Sequence, residues 1–350
     1  MIIWLQVNMD SMIAFIDKLS GSSTWLATFA WVTLLTSCAT VTSYAPAGKG
    51  MPKLNKTDYI SYDNKALGYR KWLPASAGER EPAIVIIGVH GISGHAGDYH
   101  NLGSYLTKQR QDVAVYAAET RGQGMEQKES RRGDIRRVRQ WYDDLYTFTE
   151  LVRELHPQSK IVWFGESMGS LIVMHAYHDA APVQRPHGIV ISSPIIEVDS
   201  ELPGWKLAAA KLAAIIFPKA RISLESLSDG RNQAVTKQDI HEQQAAKNPW
   251  YIRRYTLRLL IKLGDMAQAM DQAASSVYCP VLLLHAGKDC FTQEEKVNDF
   301  YEHFDRAISK SHHYYPESYH LLMYDHQRDK IFSDISSWLG QLTSDQSPDK

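Results

Sequence analysis

The sequence predicts an α/β protein with a mostly parallel, doubly wound sheet and a helical insertion. Short apolar runs that suit buried strands alternate with helical segments over residues 57–194 and again over residues 277–342. Between them, residues 195–276 show helical spacing and no comparable strand run. Strands that alternate with crossover helices form parallel sheets covered on both faces. Because ligands bind such sheets at the carboxyl ends of the strands, functional residues are expected there.

The predicted strands are short runs rich in β-branched, aromatic and other apolar residues. They lie at residues 58–62, 67–73, 83–89, 113–118, 160–164, 189–192, 281–284 and 312–315. The run at 83–89 is continuously apolar, which is typical of a strand in the centre of a parallel sheet. The sheet is therefore expected to form around this strand.

Helical spacing predicts helices in the segments between the strands. They lie at residues 99–109, 138–155, 170–180, 294–304 and 331–339. In the insertion, apolar residues recur at helical spacing from 205 to 217 and from 255 to 270. An all-helical insertion beside the strand ends is the usual form of a lid or cap. We therefore assign residues 195–276 to a cap.

Composition and charge exclude some classes of function. The chain has 350 residues, 44% of them hydrophobic, which is enough for one substantial core. Its formal net charge of -1 gives no electrostatic case for nucleic-acid binding. Five arginines between 131 and 139 are interleaved with acidic residues. We interpret them as a solvated face, with contact to a phosphate headgroup as the alternative.

The amino terminus has the features of an export signal. Residues 24–37 form an apolar run shorter than the roughly 20 residues of a spanning helix, which fits the hydrophobic region of a signal peptide. The four residues 35–38 resemble the lipobox of bacterial lipoproteins. This resemblance implies lipidation of Cys38 within a signal segment 1–38, and Ala39 beside it favours the outer membrane.

Two alternatives to lipidation stay open. Cleavage after Ala39 would give a soluble periplasmic protein. If the apolar run instead forms a buried amino-terminal helix, the chain would be neither lipidated nor cleaved. Residues 39–56 are polar and contain Pro and Gly, as a tether would. The residues from 343 to 350 form a polar tail.

Three cysteines occur, and two of them lie beyond the signal segment. Cys279 and Cys290 flank residues 280–285, which are predicted to form a buried strand. A strand of this length separates its ends by roughly 15 to 20 Å, whereas a disulfide joins Cα atoms within roughly 7 Å. These two cysteines are therefore expected to stay unpaired.

The stretch 165–169, Gly-Glu-Ser-Met-Gly, has the pattern of a nucleophile elbow. It lies between a predicted strand and a predicted helix, where a tight turn exposes the central serine. Glycine at 165 and 169 suits such a turn because neighbouring backbone passes close to both positions. Ser167 is therefore the predicted nucleophile, and the Met168 N–H would face the developing negative charge.

A nucleophilic serine needs a base and a group that orients the base. Asp289 follows the strand at 281–284, and His320 follows the next strand. The order Ser, Asp, His is that of the α/β-hydrolase triad. The loop that begins at His90 follows the strand at 83–89, and we expect the Ile92 N–H to be the second oxyanion donor. His90 itself is expected to hold this loop by hydrogen bonds.

Residues 59–339 resemble the α/β-hydrolases of the monoglyceride lipase and lysophospholipase group. The matching motifs are H-G-x-x-x-H-x-x-x-Y at 90–99, D-x-R-G-x-G at 119–124 with Glu119 in the first place, and G-x-S-M-G at 165–169. In that group the residue after the elbow is usually glycine, and Ser170 stands here. Ser-Pro at 193–194, the acid turn at 287–289 and Tyr-His at 319–320 also match. The resemblance implies an α/β-hydrolase fold and ester hydrolysis without a metal or diffusible cofactor.

The triad predicts a serine hydrolase, and the two resemblances imply that it cleaves monoacylglycerol or lysophospholipid esters and is anchored to a membrane surface by its amino-terminal lipid. The apolar cap residues would receive the acyl chain. Alternatives in the same fold are a small-ester carboxylesterase and a peptidase. An alternative of another class is a non-catalytic lipoprotein that binds lipid in the pocket, and the intact triad argues against it.

Overall fold

The computed structural model describes residues 51–196, 204–223, 235–236, 248 and 250–344. The predicted signal segment, Cys38 and most of the tether lie outside the described residues, as does the tail from residue 345. None of the helices in the described ranges is long and apolar enough to cross a membrane.

The described strands form one large sheet and one small one. They are β1 Lys53–Leu54, β2 Asp58–Ile60, β3 Ala66–Trp72, β4 Ile84–Val89, β5 Val113–Ala118, β6 Lys160–Glu166, β7 Gly188–Ser192, β8 Arg221–Ser223, β9 Arg254–Thr256, β10 Val281–Lys288 and β11 Lys310–Tyr319. The large sheet has the order β1-β2-β3-β5-β4-β6-β7-β10-β11. In this sheet, the six strands β5, β4, β6, β7, β10 and β11 pair in parallel. The strands β1, β2 and β3 add an antiparallel edge beside β5. The predicted α/β fold class is confirmed.

Helices cover both faces of this sheet. The described helices are α1 His100–Gln109, α2 Arg139–Leu155, α3 Met168–Asp179, α4 Gly204–Ile216, α5 Leu257–Gln268, α6 Met270–Ala274, α7 Glu294–Glu302 and α8 Arg328–Ser344. Apolar residues of α1 and α8 join one core, and those of α2, α3, α5, α6 and α7 join the other. In β4, Ile84 and Ile86 face the first core, whereas Val85 and Ile87 face the second. A strand buried on both faces explains the continuous apolar run.

The insertion is not all-helical, and that expectation was wrong. β8 and β9 pair antiparallel within it, with Ile222 opposite Tyr255. Each strand has three residues, too few to show an alternating pattern. β1 likewise falls at the end of the predicted tether and pairs with β2. Both pairings join short segments, so periodicity could not indicate them.

The carboxyl ends of β10 and β11 carry an irregularity. Their parallel register shifts between Ala286 and Lys288, opposite the part of β11 that contains Pro316. A Cβ on Gly287 would lie 2.6 Å from the Pro316 Cα, so glycine is required there. Cys279 and Cys290 lie on either side of β10, and neither forms a disulfide, as predicted.

Candidate active site

Ser167 lies in the turn between β6 and α3. Its backbone has φ 54° and ψ -117°, a conformation that residues other than glycine rarely adopt. A Cβ on Gly169 would lie 1.9 Å from the Val89 carbonyl oxygen. One on Gly165 would lie 2.5 Å from the Gly169 carbonyl oxygen. The two glycines therefore permit the close approach of backbone that holds Ser167 in its strained position.

The structure brings the three predicted triad residues together. The His320 Nε2 lies 2.9 Å from the Ser167 Oγ, and the His320 Nδ1 lies 2.8 Å from an Asp289 carboxylate oxygen. All three side chains are almost completely buried. The distances are those of hydrogen bonds that would carry a proton from serine to histidine.

Asp289 is held in its charged form. Burial would raise the pKa of this carboxyl, but the nearby His320 and the Phe291 N–H, which donates over 2.7 Å, lower the pKa below its usual range. A carboxylate accepts hydrogen bonds and cannot donate them. The His320 Nδ1 is therefore the donor to Asp289, which leaves Nε2 free to accept the Ser167 proton.

Residues on neighbouring loops fix the position of His320. The Ser193 Oγ donates to the His320 carbonyl oxygen over 2.6 Å, and Ser193 itself has φ 44°. The Phe291 ring meets the imidazole edge-on at 4.4 Å between centroids. These contacts hold the imidazole in one orientation between the serine and the acid.

Asp325 is a buried acid that sequence reasoning missed. Its carboxylate accepts from the Ser318 hydroxyl and from the Tyr319 N–H, each over 2.9 Å. It thereby ties down the two residues that precede His320. The insertion also reaches this loop, because the Leu321 N–H donates to the Val235 carbonyl oxygen over 3.0 Å.

The predicted oxyanion donors flank Ser167. Met168 is the first residue of α3, so its N–H has no partner within the helix. On the other side, a Cβ on Gly91 would lie 3.3 Å from the Ser167 Cβ, which places the loop that contains Ile92 against the nucleophile. Ser93 follows with φ 62° and bonds to Tyr255 of the insertion. The arrangement suits two N–H groups that face one oxyanion.

His90 holds the loop, as its position in the sequence predicted. The Thr120 N–H donates to its Nε2 over 3.0 Å, so its Nδ1 carries the proton and donates to the Gly91 carbonyl oxygen over 2.9 Å. The ring is fully buried. His90 therefore links two loops beneath the site.

The elbow also contains buried polar groups whose roles the sequence did not reveal. The Tyr99 hydroxyl lies 3.0 Å from the Val89 carbonyl oxygen and 2.8 Å from that of Phe164, so it joins the ends of β4 and β6. The Ser170 hydroxyl, in the place where glycine is usual, lies 2.9 Å from the Gly165 carbonyl oxygen. The serine thus adds a hydrogen bond within the turn.

Glu166 is buried beside the nucleophile. Burial and the neighbouring Asp98 raise its pKa, and the Met323 N–H lowers it, so that the pKa lies at about 8. Its Oε1 has no hydrogen-bond partner among the described residues. This side chain is therefore neutral at pH 7.

Across the residues that the structure describes, no group of three or more His, Cys, Asp or Glu side chains is arranged to hold a metal ion.

Comparison with protein families gives one match over most of the chain. The family described as "Serine aminopeptidase, S33" matches residues 80–327. The chain is 28% identical over 279 residues to a monoacylglycerol lipase of Mycolicibacterium smegmatis, covering 77% of this chain and 91% of that protein. It is 23% identical over 291 residues to an uncharacterised abhydrolase domain-containing protein of Dictyostelium discoideum, of which it spans 28%.

Solved structures share the fold at low identity. A soluble variant of monoglyceride lipase from Saccharomyces cerevisiae, in complex with a substrate analog, has a TM-score of 0.67 at 16% identity, covering 86% of this chain and 97% of that one. A thermostable carboxyl esterase from Bacillus coagulans, in complex with glycerol, also has a TM-score of 0.67, at 19% identity, covering 81% of this chain and 97% of that one.

Proposed function

The chain belongs to the serine aminopeptidase S33 family, and on that premise we propose that it is a serine hydrolase of carboxylic esters. One observation carries the proposal. Ser167, His320 and Asp289 form a continuous hydrogen-bonded chain at a strained strand-to-helix turn. A serine hydroxyl bonded to an oriented imidazole is the arrangement that generates a nucleophile at neutral pH.

In the proposed reaction, the Ser167 Oγ attacks the ester carbonyl while the His320 Nε2 accepts its proton. The Ile92 and Met168 N–H groups hold the resulting oxyanion. Collapse of this intermediate breaks the bond to the alcohol, which leaves with the proton from His320. A water molecule then gives a proton to His320 and attacks the acyl-enzyme, and the same steps release the acid and restore Ser167. Asp289 stabilises the imidazolium formed in each half-reaction.

Labelling with a fluorophosphonate tests the nucleophile. Wild-type protein should be labelled at Ser167, and Ser167→Ala should lose both labelling and ester turnover. Ser170→Ala is the matched control, because its hydroxyl is buried in the same turn and bonds to backbone instead of His320. Turnover that survives in Ser167→Ala with intact folding would reject Ser167 as the nucleophile, whereas a folded wild-type protein with neither labelling nor turnover would favour a lipid-binding protein.

For the substrate, we propose monoacylglycerols or lysophospholipids. The monoacylglycerol lipase relative, aligned over 91% of its length, supports this class. We expect kcat/KM to be higher for monoacylglycerols or lysophospholipids than for short p-nitrophenyl esters, and a panel of these substrates measures this preference. Preference for the short esters would instead identify a small-ester carboxylesterase.

The family description favours a peptidase as the second candidate. Aminoacyl p-nitroanilides distinguish the two activities, because they replace the ester with an amide and add a free amino group. Higher kcat/KM for the anilides than for every ester would favour the peptidase.

For localisation, we propose export and lipid anchoring at Cys38, probed in a bacterial host with labelled palmitate. Wild-type protein should take up the label and fractionate with membranes, and Cys38→Ser should lose the label but keep Ser167 chemistry. Soluble periplasmic protein beginning at Thr40 would instead establish ordinary cleavage after Ala39. The sequence pattern at 24–39 supports this proposal.

A further inference from the structure

A second cleft, of about 610 Å³, lies apart from the triad, and none of the triad residues lines it. Its walls come from the turn after β2, the segment 121–140 and the residues that follow α4 and β9. Seven lysine and arginine side chains line it against three acidic ones, although the whole chain has a net charge of -1. Its volume lies in the range of small-molecule sites.

The three acidic side chains of this cleft are already paired with cations of the same lining. The pairs are Asp63 with Arg121, Glu126 with Lys65 and Asp134 with Arg258. Asp144 also binds Arg121 from behind the cleft, over 2.6 Å. Counted with Asp144, four carboxylates face three cations in this hydrogen-bonded wall, so it offsets at most one positive charge of the remaining lining.

Four cations of the lining remain: Lys128, Arg131, Arg136 and Lys219. Their side chains are exposed and make no ion pair within the described part of the chain. Three come from the loop before α2, and Lys219 comes from the segment after α4. Hydrogen bonds hold these segments together, including one of 2.6 Å from the Arg221 guanidinium to the Arg132 carbonyl oxygen. Four like charges thus stay close together, at a cost that an anion would relieve.

We propose that this cleft binds a phosphate-bearing anion. Guanidinium and ammonium groups are the preferred partners of phosphate oxygens, and several of them suit a group with more than one negative charge. Ser130 and Gln140 add neutral donors to the lining. The volume leaves room for the group that carries the phosphate, which is either a soluble phosphoester or the headgroup of an anionic lipid.

An apolar strip lies beside the cleft. It allows a test of whether the phosphate belongs to a lipid headgroup. Leu212, Ile215, Ile216 and Phe217 at the end of α4 are 50%, 76%, 56% and 44% exposed. Lys219 of the cleft follows two residues later. These apolar side chains face solvent. A headgroup held in the cleft would bring a bilayer close to this strip.

Titration calorimetry with sn-glycerol 3-phosphate and with inorganic phosphate tests the site, against chloride at equal ionic strength. The cleft variant carries glutamine at Lys128, Arg131, Arg136 and Lys219. The control variant carries glutamine at four exposed cations that do not line the cleft, Lys71, Arg80, Lys108 and Arg328. Affinity should fall at least about tenfold in the cleft variant and less than about twofold in the control.

Vesicle sedimentation distinguishes the lipid source. Cys38→Ser protein, which lacks the proposed lipid anchor and serves as the background for every variant in this assay, is mixed with phosphatidylcholine vesicles that contain or lack phosphatidylglycerol. If the anion is a headgroup, binding should require phosphatidylglycerol and should be lost in the cleft variant. Ile215→Ser/Ile216→Ser should weaken vesicle binding but leave calorimetric binding of the soluble phosphates unchanged.

The proposal is overturned if no phosphate probe and no anionic vesicle binds above the chloride or phosphatidylcholine background. It is equally overturned if the cleft variant binds as tightly as wild type. Binding is also measured in Ser167→Ala, and turnover of p-nitrophenyl butyrate should stay unchanged in the cleft variant. The site is therefore tested independently of the proposed ester hydrolysis.

Discussion

At the scale of single residues, Asp289 and His320 act on Ser167 through one chain of hydrogen bonds. Asp289→Asn and His320→Ala should each lower kcat by about 10³-fold or more, and the double variant should lose little beyond the worse single variant, because the two residues serve one proton transfer. Single-turnover kinetics with one ester substrate measures the loss of rate in the two single variants and in the double variant. Losses that multiply would show that Asp289 and His320 act separately.

Glu166 should make stability depend on pH. Its pKa rises from 4.5 to about 8 on folding, so between these values the folded state binds more protons than the unfolded state. The free energy of unfolding should then fall as pH rises through this range, by at most about 1.4 kcal/mol per pH unit. Urea unfolding at several pH values should show a weaker decline in Glu166→Gln. The exposed Glu154→Gln should follow wild type, and identical slopes in all three would contradict the expectation.

The sequence identified the triad because each member follows its own strand. No sequence pattern predicts the roles of Ser193 and Asp325, because their contacts with the His320 loop depend on how separate loops fold. The resemblance drew attention to Ser193 only as part of a motif. Buried hydrogen bonds between loops cannot be derived from spacing along one chain.

At the scale of elements, the elbow depends on contact between α3 and β4. Gly169→Ala would place a methyl group 1.9 Å from the Val89 carbonyl oxygen, so it should cost about 3 kcal/mol of unfolding free energy and displace Ser167. Gly264→Ala is the control, because nothing lies within 4 Å of its Cβ position in α5. That change should stabilise the protein by up to about 1 kcal/mol. Chemical denaturation measures both, and equal effects would refute the steric explanation.

Elements with a long or fully buried pattern were predictable. β5 has the predicted bounds, and α2 differs by one residue. β8 and β9 were not predictable, because about thirty residues separate two short strands, each of which begins with an arginine that breaks any apolar pattern.

At the scale of the whole molecule, Arg121 joins three distant parts of the chain. It donates to Asp63 in the turn before β3 and to Asp144 in α2, and it lies in the loop after β5. Arg121→Gln leaves two carboxylates without their cation, so it should cost about 3 to 5 kcal/mol of unfolding free energy. Lys330→Gln, which breaks an exposed pair with Asp334, should cost less than about 1 kcal/mol. Similar thermal midpoints for the two variants would disprove this difference.

The register shift at the end of β10 and β11 also bears on how the protein behaves in concentrated solution. β11 is the outer strand of the described sheet order, and an outer strand with free N–H groups can recruit a strand from another molecule. Pro316 offers no N–H, and the shift opposite it bends the ladder away from a regular line. The irregularity that precedes Asp289 and His320 along the chain is therefore also expected to hinder aggregation through this edge of the sheet.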